Sequence, residues 1–205
     1  MKLSLFPQEN KSLDLLTEMA GQIPHGVTTL SEILGASADD YDRLAEELHQ
    51  HDAKVFELHF ALMTHVRTSF ITPLPREDLF QISRYIVEAY EKLDGAAELI
   101  ALNRVKRLST RASEQLEVIA RMSELTRDAM GRLSSLLDLD EYYVEMLRLA
   151  KRAERTHRNW TAEAQKELKT PNYLRHRDVA NQLVEVTKDL RRVSNHVGQI
   201  LIKES

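Results

Sequence analysis

Apolar residues recur every three or four positions through most of this chain, in long stretches separated by short polar or proline-bearing interruptions. That spacing predicts six amphipathic helices and no strand, so the expected fold class is all-α. The first helix, residues 12–35, carries Leu13, Leu16, Met19, Ile23, Val27, Leu30 and Leu34, with a kink or break expected near Pro24-His25-Gly26. The second, about 38–70, has the row Leu44, Leu48, His51, Val55, Leu58, Leu62, His65 and Ser69. The third, about 75–108, has Leu79, Ile82, Ile86, Leu93 and Ile100, with Arg104, Lys106 and Arg107 placed where cations suit a helix C-terminus. The fourth, about 110–137, runs through Leu116, Ile119, Met122, Ala129, Leu133 and Leu136, and an aspartate of Leu137-Asp138-Leu139-Asp140 is expected to cap the fifth. The fifth continues to about residue 168 through Met146, Ala150, Ala153, His157, Trp160 and Ala164. After a break at Lys169-Thr170-Pro171-Asn172, the sixth has the cleanest row: Val179, Leu183, Val186, Leu190, Val193, Val197 and Ile200.

The rows repeat. Moving the third helix by 97 positions lays Ile82, Ile86, Ala89, Leu93, Ala96 and Ile100 on Val179, Leu183, Val186, Leu190, Val193 and Val197. Moving the second by 102 lays Leu44, Leu48, Val55, Leu58 and Leu62 on Met146, Ala150, His157, Trp160 and Ala164. The expectation is one domain over residues 1–205 made of two tandem three-helix repeats, about 10–108 and 109–205.

Between the second and third helices lies Thr68-Ser69-Phe70-Ile71-Thr72-Pro73-Leu74-Pro75-Arg76-Glu77-Asp78. Two prolines so close end one helix, and Pro75 suits the first turn of the next, with Glu77 and Asp78 beside its N-terminal amides. A helical hairpin explains the residue types. The particular string also resembles the TFITPxxRED hairpin of PhoU-like proteins that accompany Pit-type phosphate transporters. The resemblance covers nearly the whole chain, the hairpin being its specific part. It implies an elongated all-α bundle of two three-helix repeats, and a cytoplasmic accessory or regulator of a Pit-type inorganic phosphate transporter that acts by protein contact.

Composition narrows the chemistry. The chain has no cysteine, which removes disulfides, thiol nucleophiles and zinc–cysteine sites. Met1 to Pro7 is too short for a signal-peptide core, and no apolar run approaches a bilayer span, so a soluble cytoplasmic protein is expected. Residues 1–102 hold 8 Lys and Arg against 17 Asp and Glu (8 − 17 = −9), and residues 103–205 hold 20 against 15 (20 − 15 = +5). Such asymmetry marks either an anionic partner or ordinary solvated faces. Arg104, Lys106, Arg107 and Arg111 cluster at the joint, and Lys151, Arg152, Arg155, Arg158, Lys188, Arg191 and Arg192 add a basic face. Without interleaved aromatics this reads as no nucleic-acid site, and as peripheral membrane proximity at most.

Residues equally far from a hairpin turn lie level on its two arms. Asp52 and Glu91 are each about 25 Å from the turn, with Glu88 near that level and His59 available as a nitrogen donor. Asp52, Glu88 and Glu91 are therefore the candidate metal ligands. Glu88 and Glu91 point about 200° and 140° away from Ile86, which places any such site on the surface. PhoU-like proteins carry Glu/Asp-x-x-x-Asp motifs that hold surface metal ions, often iron. Carried onto this chain, those motifs meet Asp52 and Phe56, Val87 and Glu91, Glu154 and Arg158, and Val184 and Lys188, so each lacks a carboxylate and two have gained a cation. No cofactor is expected beyond a weakly bound divalent or iron-type metal, and ordinary solvated acids are the plainer reading. His51 and His65 read as structural, His157 as packing beside Trp160, and Glu154 with Arg158 as a helix ion pair. No phosphate loop, nucleophile elbow or zincin motif is present, so an enzyme is not expected. A metal-dependent enzyme or store using the first repeat's acids, and a helical adaptor unrelated to phosphate, are the alternatives. The long apolar rows suit a homodimer as well as an internal bundle.

Overall fold

The computed structural model describes residues 11–203. The expectations for Met1 to Pro7, and for a repeat starting at residue 10, lie outside the described residues. Six helices form: α1 (Lys11–Gly35), α2 (Tyr41–Thr68), α3 (Arg76–Asn103), α4 (Thr110–Arg132), α5 (Leu139–Glu167) and α6 (Thr170–Lys203). No strand occurs among the described residues.

The two repeats pack as one bundle. α1 lies against α4 and α3 against α6, so the first and third helices of each repeat meet their counterparts. α2 touches only α1 and α3, and α5 only α4 and α6, so each is the outer helix of its own repeat. The sixth helix buries every residue of its predicted row, and the third does the same. Burial of these aliphatic rows, at about 25 cal/mol per Å² of apolar surface, is the main favourable term holding the bundle. Trp160, Tyr90 and Tyr142 are the largest side chains fully enclosed, and the Tyr142 hydroxyl shares a hydrogen bond with Thr126 Oγ1 at 3.2 Å.

Four local expectations change. α1 runs unbroken through Pro24, so the expected break does not occur there, and Gly26 serves packing: a Cβ there would stand 3.0 Å from the Tyr90 hydroxyl. α3 stops at Asn103, where Arg104 takes a left-handed conformation (φ 47°) and its amide bonds back to Ala101 and Ile100. The fourth helix ends at Arg132, and Asp138 stands at the α5 N-cap with φ 56° but makes no side-chain cap. The α2 row finishes on Val66, which is buried, in place of the half-buried His65 and Ser69. A strict 4-3 step to residue 65 ignores the drift of a straight helix away from a seven-residue repeat.

The hairpin string has structural tasks. Arg76 Nη2 donates to the Ser69 carbonyl at 2.7 Å and Thr72 Oγ1 to the Leu74 carbonyl at 2.8 Å, fastening the loop. Asp78, 3% exposed in the first turn of α3, accepts from His196 Nε2 at 2.9 Å and Lys203 Nζ at 3.0 Å, both on α6. The connection between repeat one's outer and inner helices is thereby latched to repeat two.

Candidate functional site

The acids of the first repeat meet along the α2–α3 seam. On α2, His49, Asp52 and Phe56 follow one another at helical spacing on one side, and α3 offers Glu91, Asp94 and Glu98. His49 Nδ1 lies 2.9 Å from Asp94 Oδ2, joining the two helices. That hydrogen bond, then the charge of Asp94, holds the His49 pKa above the ordinary imidazole value. Asp52 is half-buried, and burial, followed by the charges of Asp94 and Glu91, pushes its carboxyl above the ordinary carboxylate range. A cleft of about 300 Å³ opens beside them, lined by Asp42, Glu46, His49, Asp94, Glu98 and Leu102 among others. With four carboxylates around one imidazole it repels phosphate and other anions.

Asp52 and Glu91 therefore share a neighbourhood, as their hairpin level predicts, and Glu88 does not join them. Glu88 accepts from Arg84 Nη1 at 2.8 Å and lies 3.6 Å from Arg192 of α6. It belongs to the α3–α6 seam, beside Asp189, which is 1% exposed and bonded to Arg192 at 2.5 Å. Burial, ahead of Arg192's opposing effect, raises the Asp189 carboxyl. His59 also turns elsewhere: its Nδ1 lies 3.1 Å from Ser83 Oγ, its ring sits by Phe80, and burial lowers its pKa. His51 stacks on His25 with centroids 6.2 Å apart.

Sequence reasoning missed Asp94 and Tyr90. Asp94 had a signal, since it stands three residues after Glu91 and nearly level with His49 across the hairpin. Tyr90 had none. Its hydroxyl is enclosed without a hydrogen-bond partner among the described residues, and burial, Asp52 and Asp94 all raise its pKa.

These residues do not fit a multinuclear metal cluster of the kind the resemblance implies. Among the described residues no three His, Asp or Glu side chains are arranged to hold a metal ion. His49 is already bonded to Asp94 and Glu88 to arginine. In the second repeat, cations occupy the corresponding ground: Arg191 and Arg158 stand 3.4 and 3.9 Å from Glu154, and Lys188 2.5 Å from Glu185. Two of the basic residues at the joint are likewise paired, Arg104 with Asp42 at 2.6 Å and Arg111 with Glu163 and Glu114, both at 2.9 Å. His157 contributes a hydrogen bond to Asn181 at 2.9 Å as well as packing.

No family model matches the chain, and no curated protein matches it. Solved structures do. A PhoU-like protein from Shewanella oneidensis MR-1 superposes with a TM-score of 0.76 at 10% identity, over 93% of this chain and 99% of that one. A second protein of the same organism, described as a PhoU-like phosphate regulatory protein, gives 0.72 at 12% identity, over 94% and 99%. Identity this low carries the backbone and not the side chains, and on that ground the chain has the PhoU-like fold, as two three-helix repeats in one helical bundle.

Proposed function

We propose that this protein is a cytoplasmic regulator of inorganic phosphate uptake, working by contact with a Pit-type transporter rather than by catalysis. The observation that carries the reading is fold likeness over nearly the whole of both chains to a protein described as a phosphate regulator, joined to the Ser69–Asp78 string. The acidic α2–α3 cleft supports contact over ligand capture, because a carboxylate-lined cleft disfavours free phosphate. No helix of the described residues is long and apolar enough to cross a membrane, so a membrane partner would be met from outside the bilayer.

The test is phosphate uptake, followed with radiolabelled phosphate in cells with and without the protein, together with affinity purification of the tagged chain from solubilised membranes. The expected result is altered uptake and recovery of a phosphate transporter. Unchanged uptake with no transporter recovered would sink the proposal and leave a helical adaptor of another system.

A further inference from the structure

The outermost line of α5 is a row of cations. Arg148, Lys151, Arg155 and Arg158 recur at steps of three and four, so they fall within about 80° of one another around the helix and span about 15 Å along it. All four are exposed, Arg148 and Arg158 over 74% and 68% of their side chains. They lie opposite the buried row of Met146, Leu149, Ala150, Ala153 and Trp160, and no acid shares their arc. Val144 and Ala162 continue the same line at its two ends. The fold does not use this row. Among the described residues the side chains of Lys151 and Arg155 make no ion pair or hydrogen bond. Arg148 pairs within its own helix to Glu145, and Arg158 reaches Glu154, which Arg191 of α6 also approaches. The matching helix of the first repeat does without the row: Glu46, His49, Ala53 and Phe56 stand at these positions.

We propose that the outer face of α5 is a membrane-docking surface, laid against anionic lipid headgroups. Four basic residues on one face of a helix are what the negative potential of an anionic leaflet attracts, each contributing about fivefold in partitioning. A straight line of long, solvated cations suits a plane of headgroups. It carries no aromatic side chain of the kind that anchors a protein contact. The inference rests on the proposed function only in placing the protein beside a membrane.

The rest of the molecule supplies the orientation. α2 and α5 are the outer helices of different repeats, so they stand at opposite edges of the bundle. The α2 edge exposes Asp42, Glu46 and Glu47. The half of the chain that carries net −9 thus lies behind that edge, and the half that carries net +5 lies behind α5. An anionic plane attracts one edge and repels the other, so a single face docks. With α5 lying flat, the α2–α3 hairpin stays uncovered.

The test is flotation of the purified full chain with phosphatidylcholine vesicles, alone and with about 40% phosphatidylglycerol, at about 0.1 M salt. The wild type is expected to float with the anionic vesicles only, and to be released as salt rises to about 0.5 M. Lys151→Gln with Arg155→Gln removes two cations that hold nothing in the fold. Circular dichroism should stay unchanged while partitioning falls about 25-fold. Lys54→Gln with Arg67→Gln removes the same charge from exposed positions of α2 and should leave partitioning within about twofold. A wild type that does not float overturns the proposal, and so does flotation unchanged in the α5 variant. Equal losses in the two double variants overturn it as well, since net charge alone would then decide. A protein that ignores vesicles and binds polyglutamate overturns it in favour of an acidic protein partner. The vesicles contain no transporter, so a failure here leaves the uptake proposal standing, and a failure there leaves this one.

Discussion

The two outer helices occupy matching places and are tied down by different chemistry. α5 is held by guanidinium–carboxylate pairs: Arg111 of α4 to Glu163, Arg152 to Glu117 of α4 at 3.9 Å, and Arg191 of α6 to Glu154. Beneath these lies Trp160, the largest enclosed side chain in the protein. α2 has one such pair, Arg104 to Asp42, and along the rest of its seam an imidazole, His49 bonded to Asp94, while Asp52 stands among like charges and Leu58 takes the place of Trp160. One repeat has balanced the acids of its outer helix with cations and filled its seam. The other leaves Asp52 among like charges and turns four phenylalanines outward. A tandem repeat lets one copy specialise in stability and leaves the other free to face a partner.

The steepest test of that contrast is Trp160→Ala against Leu58→Ala. Removing the indole should cost about 3–5 kcal/mol, more than the Leu58 value, and lower the melting temperature by about 10 °C or more. Equal losses would mean that the repeats share the load evenly. Next comes Asp78→Ala, which leaves His196 and Lys203 without their carboxylate. Denaturant unfolding should show a loss of about 2 kcal/mol, and hydrogen exchange should speed up first at the α2–α3 connection. Gly26→Ala should cost about 1–2 kcal/mol by pressing a methyl into the Tyr90 ring, and Tyr90→Leu in the same chain should recover most of it.

The smallest effect is the most specific. His49 has a folded pKa above its unfolded value, so its link to Asp94 contributes stability in acid and loses it as pH rises through that raised value. Asp52 also has a raised pKa, so it binds a proton more readily folded than unfolded. Its charge costs stability above the ordinary carboxylate range, and that cost fades as pH falls into it. Both groups loosen the α2 seam as pH increases, whereas arginine pairs on α5 keep their charge. Amide exchange in α2 should therefore accelerate from mildly acidic to mildly basic pH relative to α5, and Asp52→Asn should reduce the difference. An α5 response of the same size would refute the assignment.

Much of the fold was legible in the sequence, because burial imposes period on apolar residues. The α3 and α6 rows were read residue for residue, and the 97-residue shift between them joins two helices that lie side by side. Places where backbone and packing decide together were not legible. Pro24 and Gly26 look like a break, yet the glycine is a seat for a tyrosine 64 residues away. The left-handed turns at Arg104 and Asp138 use residues without the glycine that would have announced them. At the candidate site, hairpin level brought Asp52 and Glu91 together correctly. It could not say that Glu88 would be drawn off by Arg192, because that arginine comes from the other repeat.

The latch at Asp78 also orders events in time. Its partners lie 118 and 125 residues further along the chain. At about 5–20 residues per second, a ribosome completes Asp78 roughly 6–25 s before Lys203 exists. Throughout that interval the hairpin carries an unpartnered carboxylate, and α3 lacks the helix that covers its apolar row. The first repeat is thus made early and finished late, its α3 row covered only when α6 arrives.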